Sequence, residues 1–440
     1  MKTIITLLCC LLLCTQLFFA QTHNNSELPT SINKDGDAPH PSALLDLQSD
    51  SKGVLIPRMS TAKRMAISNS AQGLLIFDTD TDSFWYFSNS NWLELSSSNS
   101  IDVVSENQKI KIESDITKNG LQAVDISGDY AVFGASGLNN NPGLALVYKW
   151  NGSRWIKQFE LKGNNVSNGS QFGKSVSISN DYIAVGSNNK VYIYQKQGDS
   201  WVLQEQLLPT DAQEENFGSS VDIKDNQLII GSTIVDFNYY GYVGYAYIYQ
   251  KLGNVWNLEA KLSPNNFSTP SLFGINVSIS GEFAIVADIG LGPGTGNDFG
   301  SVYIFRKVNN SWIEQKAIRS TDYRYFGGSI NIYGDYILID GYVYYWNGID
   351  FILDTSFSAI NSYTYVLKVS SLYGNYALVY NDEKKAILYE RTSNGWKKIK
   401  ELKYSSNMAV SNICIDNDKI IMLADNGSYN TLKEAYFFQK

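Results

Sequence analysis

Phe172-Gly173-Lys174-Ser175-Val176-Ser177-Ile178-Ser179 recurs as Phe217-Gly218-Ser219-Ser220-Val221-Asp222-Ile223, as Phe273-Gly274-Ile275-Asn276-Val277-Ser278-Ile279-Ser280 and as Phe326-Gly327-Gly328-Ser329-Ile330-Asn331-Ile332, at spacings of 45, 56 and 53 residues. Recurrence at such a period marks a repeat architecture, one supersecondary element stacked many times. Each copy is followed by a second apolar segment, as in Tyr182-Ile183-Ala184-Val185-Gly186, and by a third, as in Val191-Tyr192-Ile193-Tyr194. A turn pair then leads into an aromatic residue that opens a fourth: Asn151-Gly152 before Trp155, Gly198-Asp199 before Trp201, Gly253-Asn254 before Trp256, Asn394-Gly395 before Trp396. These pairs tolerate the positive φ that tight hairpins require. Three further copies keep the phase with weaker first segments, at 123–126, 369–372 and 410–413. Seven copies over about 340 residues give roughly 48 each, the size of a four-stranded propeller blade. The seventh copy stops at its third segment, Ala435 to Lys440, while an orphan alternating segment, Lys109-Ile110-Lys111-Ile112-Glu113, precedes the first. The pattern predicts an all-β, seven-bladed β-propeller over residues 104–440. The orphan segment supplies the missing outer strand and closes the ring, so that no open end is left.

Outward from the repeats, the N-terminus sets the compartment. Met1-Lys2 is a minimal positive region, and Ile4 to Phe19 is a nearly unbroken apolar run ending at Ala20-Gln21. Residues 1–20 read as a secretory signal peptide, with Ala20 as the small residue before the cut. A membrane anchor is disfavoured because the run is short and is followed by polar Thr22-His23-Asn24-Asn25. Leu11-Leu12-Leu13-Cys14 departs from a lipidation site because Leu13 is too bulky before the cysteine. The expectation is a secreted or cell-surface protein with no integral membrane segment after signal removal. Three of the four cysteines leave with the signal, so Cys414 stands alone and core burial replaces disulfides as the source of stability. Cys414 lies in an apolar strand and reads as a buried small hydrophobe.

Residues 21–40 are a polar leader, 41–95 a small α+β module, and 96–103 a serine-rich linker. Within the module, 43–47 and 53–57 read as short strands. Ser60 reads as the cap of a brief helix from Thr61 to Ile67, and 74–77 with 83–87 as a hairpin. The string from Pro41 to Leu95, PSALLDLQSDSKGVLIPRMSTAKRMAISNSAQGLLIFDTDTDSFWYFSNSNWLEL, resembles a module near the start of exported adhesin-like and tail-fibre-like bacterial proteins. That resemblance implies an attachment role and brings no catalytic residues. In the repeats, Phe-Gly followed by Ser/Val alternation, an apolar strand ending in Gly-Ser or Gly-Ala-Ser (Gly134-Ala135-Ser136), and Gly-x-Val-Tyr resembles the FG-GAP repeat of integrin-α-type propellers. The likeness covers all seven copies and is strongest in the second to fifth. Many such propellers carry an Asp-x-Asp-x-Asp-Gly calcium loop between the first two segments. Here those connections are Asn180-Asp181, Asp225-Asn226-Gln227, Gly281-Glu282 and Gly334-Asp335, too short to wrap a cation that takes six or more oxygens. No cofactor is expected; calcium stays open as an alternative that the blade loops do not support.

Charge and composition exclude several functions. The balance of 35 Lys+Arg against 43 Asp+Glu, a net charge of −8, does not suit nucleic acid. The two histidines, His23 and His40, precede the repeats, which removes histidine-ligated metal catalysis and Ser-His or Cys-His nucleophiles from the propeller. Asp78-Thr79-Asp80-Thr81-Asp82 has calcium-loop spacing, but Ser83 stands where glycine is needed and Asn89 where glutamate is needed. Asp78, Asp80 and Asp82 therefore read as a hairpin turn, with metal as the weaker alternative. Asp288, Asp298 and Asp340 lie near strand ends without a context that marks an acid and a base. The glycine-rich run 290–296 lacks the Gly-Lys-Ser/Thr ending and the following helix of a phosphate loop. Loop tyrosines carry more weight. Tyr239, Tyr240 and Tyr242 in the third copy and Tyr323 and Tyr325 before the fifth offer flat apolar faces with a hydroxyl, suited to sugars or protein surfaces. The expected function is non-enzymatic binding or adhesion toward an extracellular protein or glycan. The alternative is a carbohydrate-active enzyme, glycoside hydrolase or lyase, with a carboxylate site at the propeller channel.

Overall fold

Alternation of small polar with β-branched residues makes strands that can pack on both faces, and seven such segments build the centre of the molecule. The computed structural model describes residues 30–32, 38, 40, 41, 43, 45–88, 90–94, 102–111, 121–136, 141–164, 166–210, 216–236, 241–265, 272–289, 299–320, 326–357, 369–380, 385–405, 408–425 and 434–440. The chain divides into two units, Met1–Asn99 and Ser100–Lys440.

In the first unit, Thr30–Ile32 pairs in parallel with Leu45–Leu47. A second sheet runs in the order Arg58–Met59, Leu75–Asp78, Ser83–Ser88, Asn91–Glu94. The helix Thr61–Met65 starts where the sequence places it, at Ser60, whose hydroxyl accepts from the Lys63 amide at 3.4 Å. The strand expected over 53–57 is displaced to Arg58–Met59, because the ladder partner, Phe77-Asp78, faces those two residues.

In the second unit, the described residues form seven sheets, and within each the strands that the repeat supplies are antiparallel and follow sequence order from inside to outside. The inner strands are Ala123–Ser127, Ser175–Ser179, Phe217–Lys224, Asn276–Ser280, Ile330–Tyr333, Ser370–Tyr373 and Ala409–Asp416. Each lies against the next, and the seventh lies against the first, so the sheets form a closed ring of blades. Left-handed residues turn each inner strand back into the second: Gly128, Asn180, Asp225, Gly281, Gly334, Gly374 and Asn417, all between φ +51° and +61°. A β-bulge recurs between the third and fourth strands of six blades, at Val147/Tyr148, Ile193/Tyr194, Ile248/Tyr249, Ile304/Phe305, Val343/Tyr344 and Leu388/Tyr389. Bulges increase local twist, which a blade needs between axis and rim.

The Phe-Gly pair is the joint between blades. Phe172, Phe217 and Phe273 are fully buried and meet the third-strand Tyr192, Tyr247 and Tyr303 edge-on, with ring centroids 5.1, 5.3 and 5.4 Å apart. The glycine lies against the second strand of the preceding blade. A Cβ on Gly231 would stand 1.9 Å from the Gly274 carbonyl oxygen, and one on Gly186 would stand 2.2 Å from that of Gly218. The tryptophan opening a fourth strand packs the same joint further out, Trp201 on Tyr130 and Trp256 on Tyr182.

The ring closes as the sequence predicts. Gln108–Lys111 is the outer strand of the seventh blade, antiparallel to Glu434–Gln439 in the register Ala435↔Ile110 and Phe437↔Gln108. Lys109 Nζ lies 2.8 Å from Glu434 Oε2. Gln108 also clasps blade one: its Nε2 donates to the Trp155 carbonyl at 3.0 Å and its Oε1 accepts from the Trp155 amide at 2.7 Å. The expected linker 96–103 and the expected start at 104 shift here. Asp102–Ser105 is a fifth strand on blade six, parallel to Lys400–Lys403. No long alternating pattern marks so short an edge strand.

Candidate functional site

Repeat arithmetic places one residue of every inner strand at the same depth: Asp125, Ser177, Asp222, Ser278, Asn331, Ser371 and Cys414. Six of them reach to the backbone of the following blade. Asp125 accepts from the Ile178 amide (2.8 Å), Ser177 from Ile223 (3.1 Å), Asp222 from Ile279 (2.8 Å), Ser278 from Ile332 (3.3 Å), Asn331 from Leu372 (3.1 Å) and Ser371 from Ile415 (3.3 Å). The result is a belt of side-chain acceptors running one way around the axis. At the seam between the last and first blades the belt position is Cys414, and the Ile126 amide donates instead to Asp125 Oδ1 at 2.8 Å. Two residues further along the strand, Asp416 accepts from the Gly128 amide and carries the same joint across the seam.

These strands line a central cavity of about 370 Å³, bordered by serine, asparagine and the two belt aspartates. Ser177 links them, donating to Asp125 Oδ2 at 2.8 Å with Asp222 Oδ1 at 3.4 Å. Burial pushes the Asp125 carboxyl up to about 6, against the Ile178 amide that favours its charge and with the Asp222 charge adding to the rise. Burial also raises Asp222, opposed by the Ser278 hydroxyl and the Ile279 amide. Cys414 is buried, as its sequence context predicts, and burial holds its thiol well above the usual range. At the tight-turn end the same strands finish in Lys224, Tyr333 and Tyr373. Lys224 Nζ lies 5.1 Å from the Tyr333 ring centroid, and the two tyrosine rings are 5.0 Å apart.

The ring has two unlike faces. Connections from first to second and from third to fourth strands are tight hairpins at one face. Connections from second to third strands and between blades lie at the other. At that second face end the strands Tyr130–Ala135, Phe283–Asp288, Phe351–Ser356 and Lys419–Asp425, after each of which more than seven residues of sequence precede the next strand.

Of the residues singled out in the sequence, Tyr239, Tyr240, Tyr323 and Tyr325 lie outside the described residues, as does Asp298. Tyr242 falls in the strand Gly241–Leu252, with its Cα opposite Val235, at the loop face. Asp288 accepts from the Leu272 amide at 2.7 Å. Asp340 accepts from the amides of Gly327 (2.6 Å) and Ser329 (2.9 Å), so both acids brace Phe-Gly turns. Asp78 is engaged by Arg64 Nε at 2.8 Å, by the Thr61 hydroxyl at 2.8 Å and by the Asp80 amide at 3.0 Å. Burial would raise its carboxyl, but those partners outweigh it and hold it below the usual range. Arg64 is held in turn by the Trp85 ring, 3.8 Å from its guanidinium carbon. Asp80 caps the Thr61 amide at 3.0 Å, and Asp82 sits in the turn at φ +52°. Among the described residues no group of three or more His, Cys, Asp and Glu is disposed to hold a metal ion. Sequence reasoning missed Asp125 and Asp222. Their signal was available in the repeat alignment, which puts an acid where the other copies carry Ser, Asn or Cys.

Comparison with known proteins agrees with this architecture. Residues 31–111 match the family described as phage tail like trimerisation region, and residues 256–305 match the FG-GAP repeat. The tail-fibre-like and FG-GAP resemblances read from the sequence are both met. The first match runs beyond the module to the ring-closing strand, and the second spans the outer strand of blade three to the third strand of blade four. No curated protein matches the chain. Among solved structures, the crystal structure of RRP9 WD40 repeats is similar at 9% identity, TM-score 0.50, covering 77% of this chain and 100% of that one. The structure of U3-55K follows at 10% identity and TM-score 0.49, covering 74% and 98%. Saccharomyces cerevisiae Sqt1 matches at 12% identity and TM-score 0.45, covering 77% and 86%. At this identity the likeness to RRP9 carries the fold alone, a β-propeller. Among the described residues no helix is long and apolar enough to cross a membrane.

Proposed function

We propose that the protein is an exported, non-enzymatic binding protein that presents its propeller at a cell surface to recognise an extracellular protein or glycan. The observation that carries this reading is the asymmetry of the ring: the strand ends followed by the longest stretches of sequence share one face, and the strands at the opposite face are joined by hairpins. Loops on a rigid scaffold are where recognition concentrates. Tyr239, Tyr240, Tyr242, Tyr323 and Tyr325 belong to loop-face segments by sequence position, and we assign the contacts to them. The signal peptide read over residues 1–20 supplies the route out of the cell. The tail-like match over 31–111 supports attachment through association of three copies. The module's exposed Val54, Leu55 and Met65, at 63, 79 and 64% of full exposure, support such self-association. Three propellers on one stalk gain avidity without any new contact.

The hydrolytic alternative is less well supported, because Asp125 and Asp222 are tied to backbone amides of neighbouring blades. A free acid and base flanking a sugar bond would need both groups available. The test is a glycan array and a surface-extract pull-down with the mature chain, each run with calcium and with chelator. Specific, chelator-insensitive capture that drops at least tenfold on replacing Tyr239, Tyr240 and Tyr242 by alanine is expected. Polysaccharide cleavage abolished by Asp125→Asn would overturn the reading in favour of the enzyme.

A further inference from the structure

At the loop-face end of the channel, three consecutive blades place Gln122, Lys174 and Ser219 at one repeat position, each three residues before the belt. All three line the central cavity. Lys174 is the unusual one. Its ammonium donates to the Asn188 side-chain oxygen at 3.2 Å, and no carboxylate among the described residues pairs with it. Partial burial lowers its pKa to about 8. On the adjacent blade the Ser219 hydroxyl is buried with no hydrogen-bond partner among the described residues. A half-buried cation and a hydroxyl with no partner among the described residues, both facing one cavity, are costly features that a bound anion relieves together.

The layer beneath narrows the anion's class. Ser175 and Ser220 have committed their protons, donating to the Gly218 and Gly274 carbonyls at 2.9 Å each, so their free lone pairs can accept hydrogen bonds. Acceptors below a cationic mouth suit a molecule that carries hydroxyls behind a carboxylate. The belt acids lie three residues deeper, roughly 10 Å along the strands, and are occupied by amides. The cavity's volume falls at the small end of ligand sites.

We infer that the channel mouth is a seat for a small hydroxy-carboxylate of the uronic-acid type, its carboxylate on Lys174 and Ser219 and its hydroxyls on the serine layer. This seat goes beyond recognition by the loops and does not depend on it. Calorimetric titration of the mature full-length chain at pH 7 tests it, with D-glucuronate, glucose and N-acetyl-aspartate as probes. Glucuronate is expected to bind at least tenfold more tightly than either of the others, and its affinity is expected to fall as pH rises past 8. Lys174→Met should weaken glucuronate at least thirtyfold while melting at or above the parent's temperature, since a half-buried charge with no carboxylate partner among the described residues has been removed. Ser219→Ala should weaken it several-fold. Lys174→Gln guards against a packing effect of methionine and should lose binding equally. Tighter binding of N-acetyl-aspartate, undiminished binding by both Lys174 variants, or no saturation by about 10 mM glucuronate would each overturn the seat.

Discussion

Asp125 holds its proton more tightly in the folded chain than in the unfolded one, with its pKa raised from 3.8 to about 6. For an acid shifted this way the stabilising difference is fully present below about pH 4 and is lost as pH climbs through 6. The shift corresponds to about 3 kcal/mol. Melting curves of the parent between pH 4 and 7 should therefore carry a downward contribution that Asp125→Asn removes. Parallel profiles for parent and variant would show that Asp125 titrates normally. Much was legible at this scale. Cys414 is the buried small hydrophobe its neighbours imply, and Ser60 caps its helix. The acids at 125 and 222 were not read as a pair, because belt geometry depends on which strand face meets the next blade, and alternation alone does not state that.

Among elements, the Phe-Gly turn is where sequence and packing agree most closely. Gly274 sits at φ +89°, and a Cβ there would stand 2.3 Å from the Tyr245 carbonyl oxygen. Gly274→Ala should cost more than about 3 kcal/mol, combining left-handed strain with a backbone clash. Gly253→Ala, at an open hairpin tip with φ +62°, should cost only about 1 kcal/mol of strain. Urea denaturation of the two variants compares them directly, and equal losses would mean that the interblade contact yields. The closing strand gives a second case. Gln108→Ala removes both bonds to the Trp155 backbone and leaves that amide to find another partner, an expected loss of about 2 kcal/mol. Deleting residues 104–116 should lower the melting temperature far more, and an unchanged melt would mean that another segment closes the ring. The orphan alternating segment made this strand readable. Asp102–Ser105 escaped notice because a short strand laid in parallel on an outer edge needs neither alternation nor a turn signal.

For the molecule as a whole, closure changes how stability is shared. Open repeat arrays add nearest-neighbour terms and can fray from their ends. Here the first and last inner strands touch, and Asp416 and Gln108 fasten the seam on both sides. Residues 101–440 should melt in one transition, with calorimetric and van't Hoff enthalpies in agreement. Stepwise loss of blades in the calorimeter would contradict that coupling.

The parallel strand on blade six also fixes where mechanical load enters. The chain leaving the N-terminal unit joins the rim of blade six through Asp102–Ser105 and then the rim of blade seven through Gln108–Lys111. A pull on that unit therefore meets two anchored rim segments in series, on two different blades, before it reaches the covalent path into blade one. The lifetime of the ring under tension is then set by the rupture rate of these two short ladders.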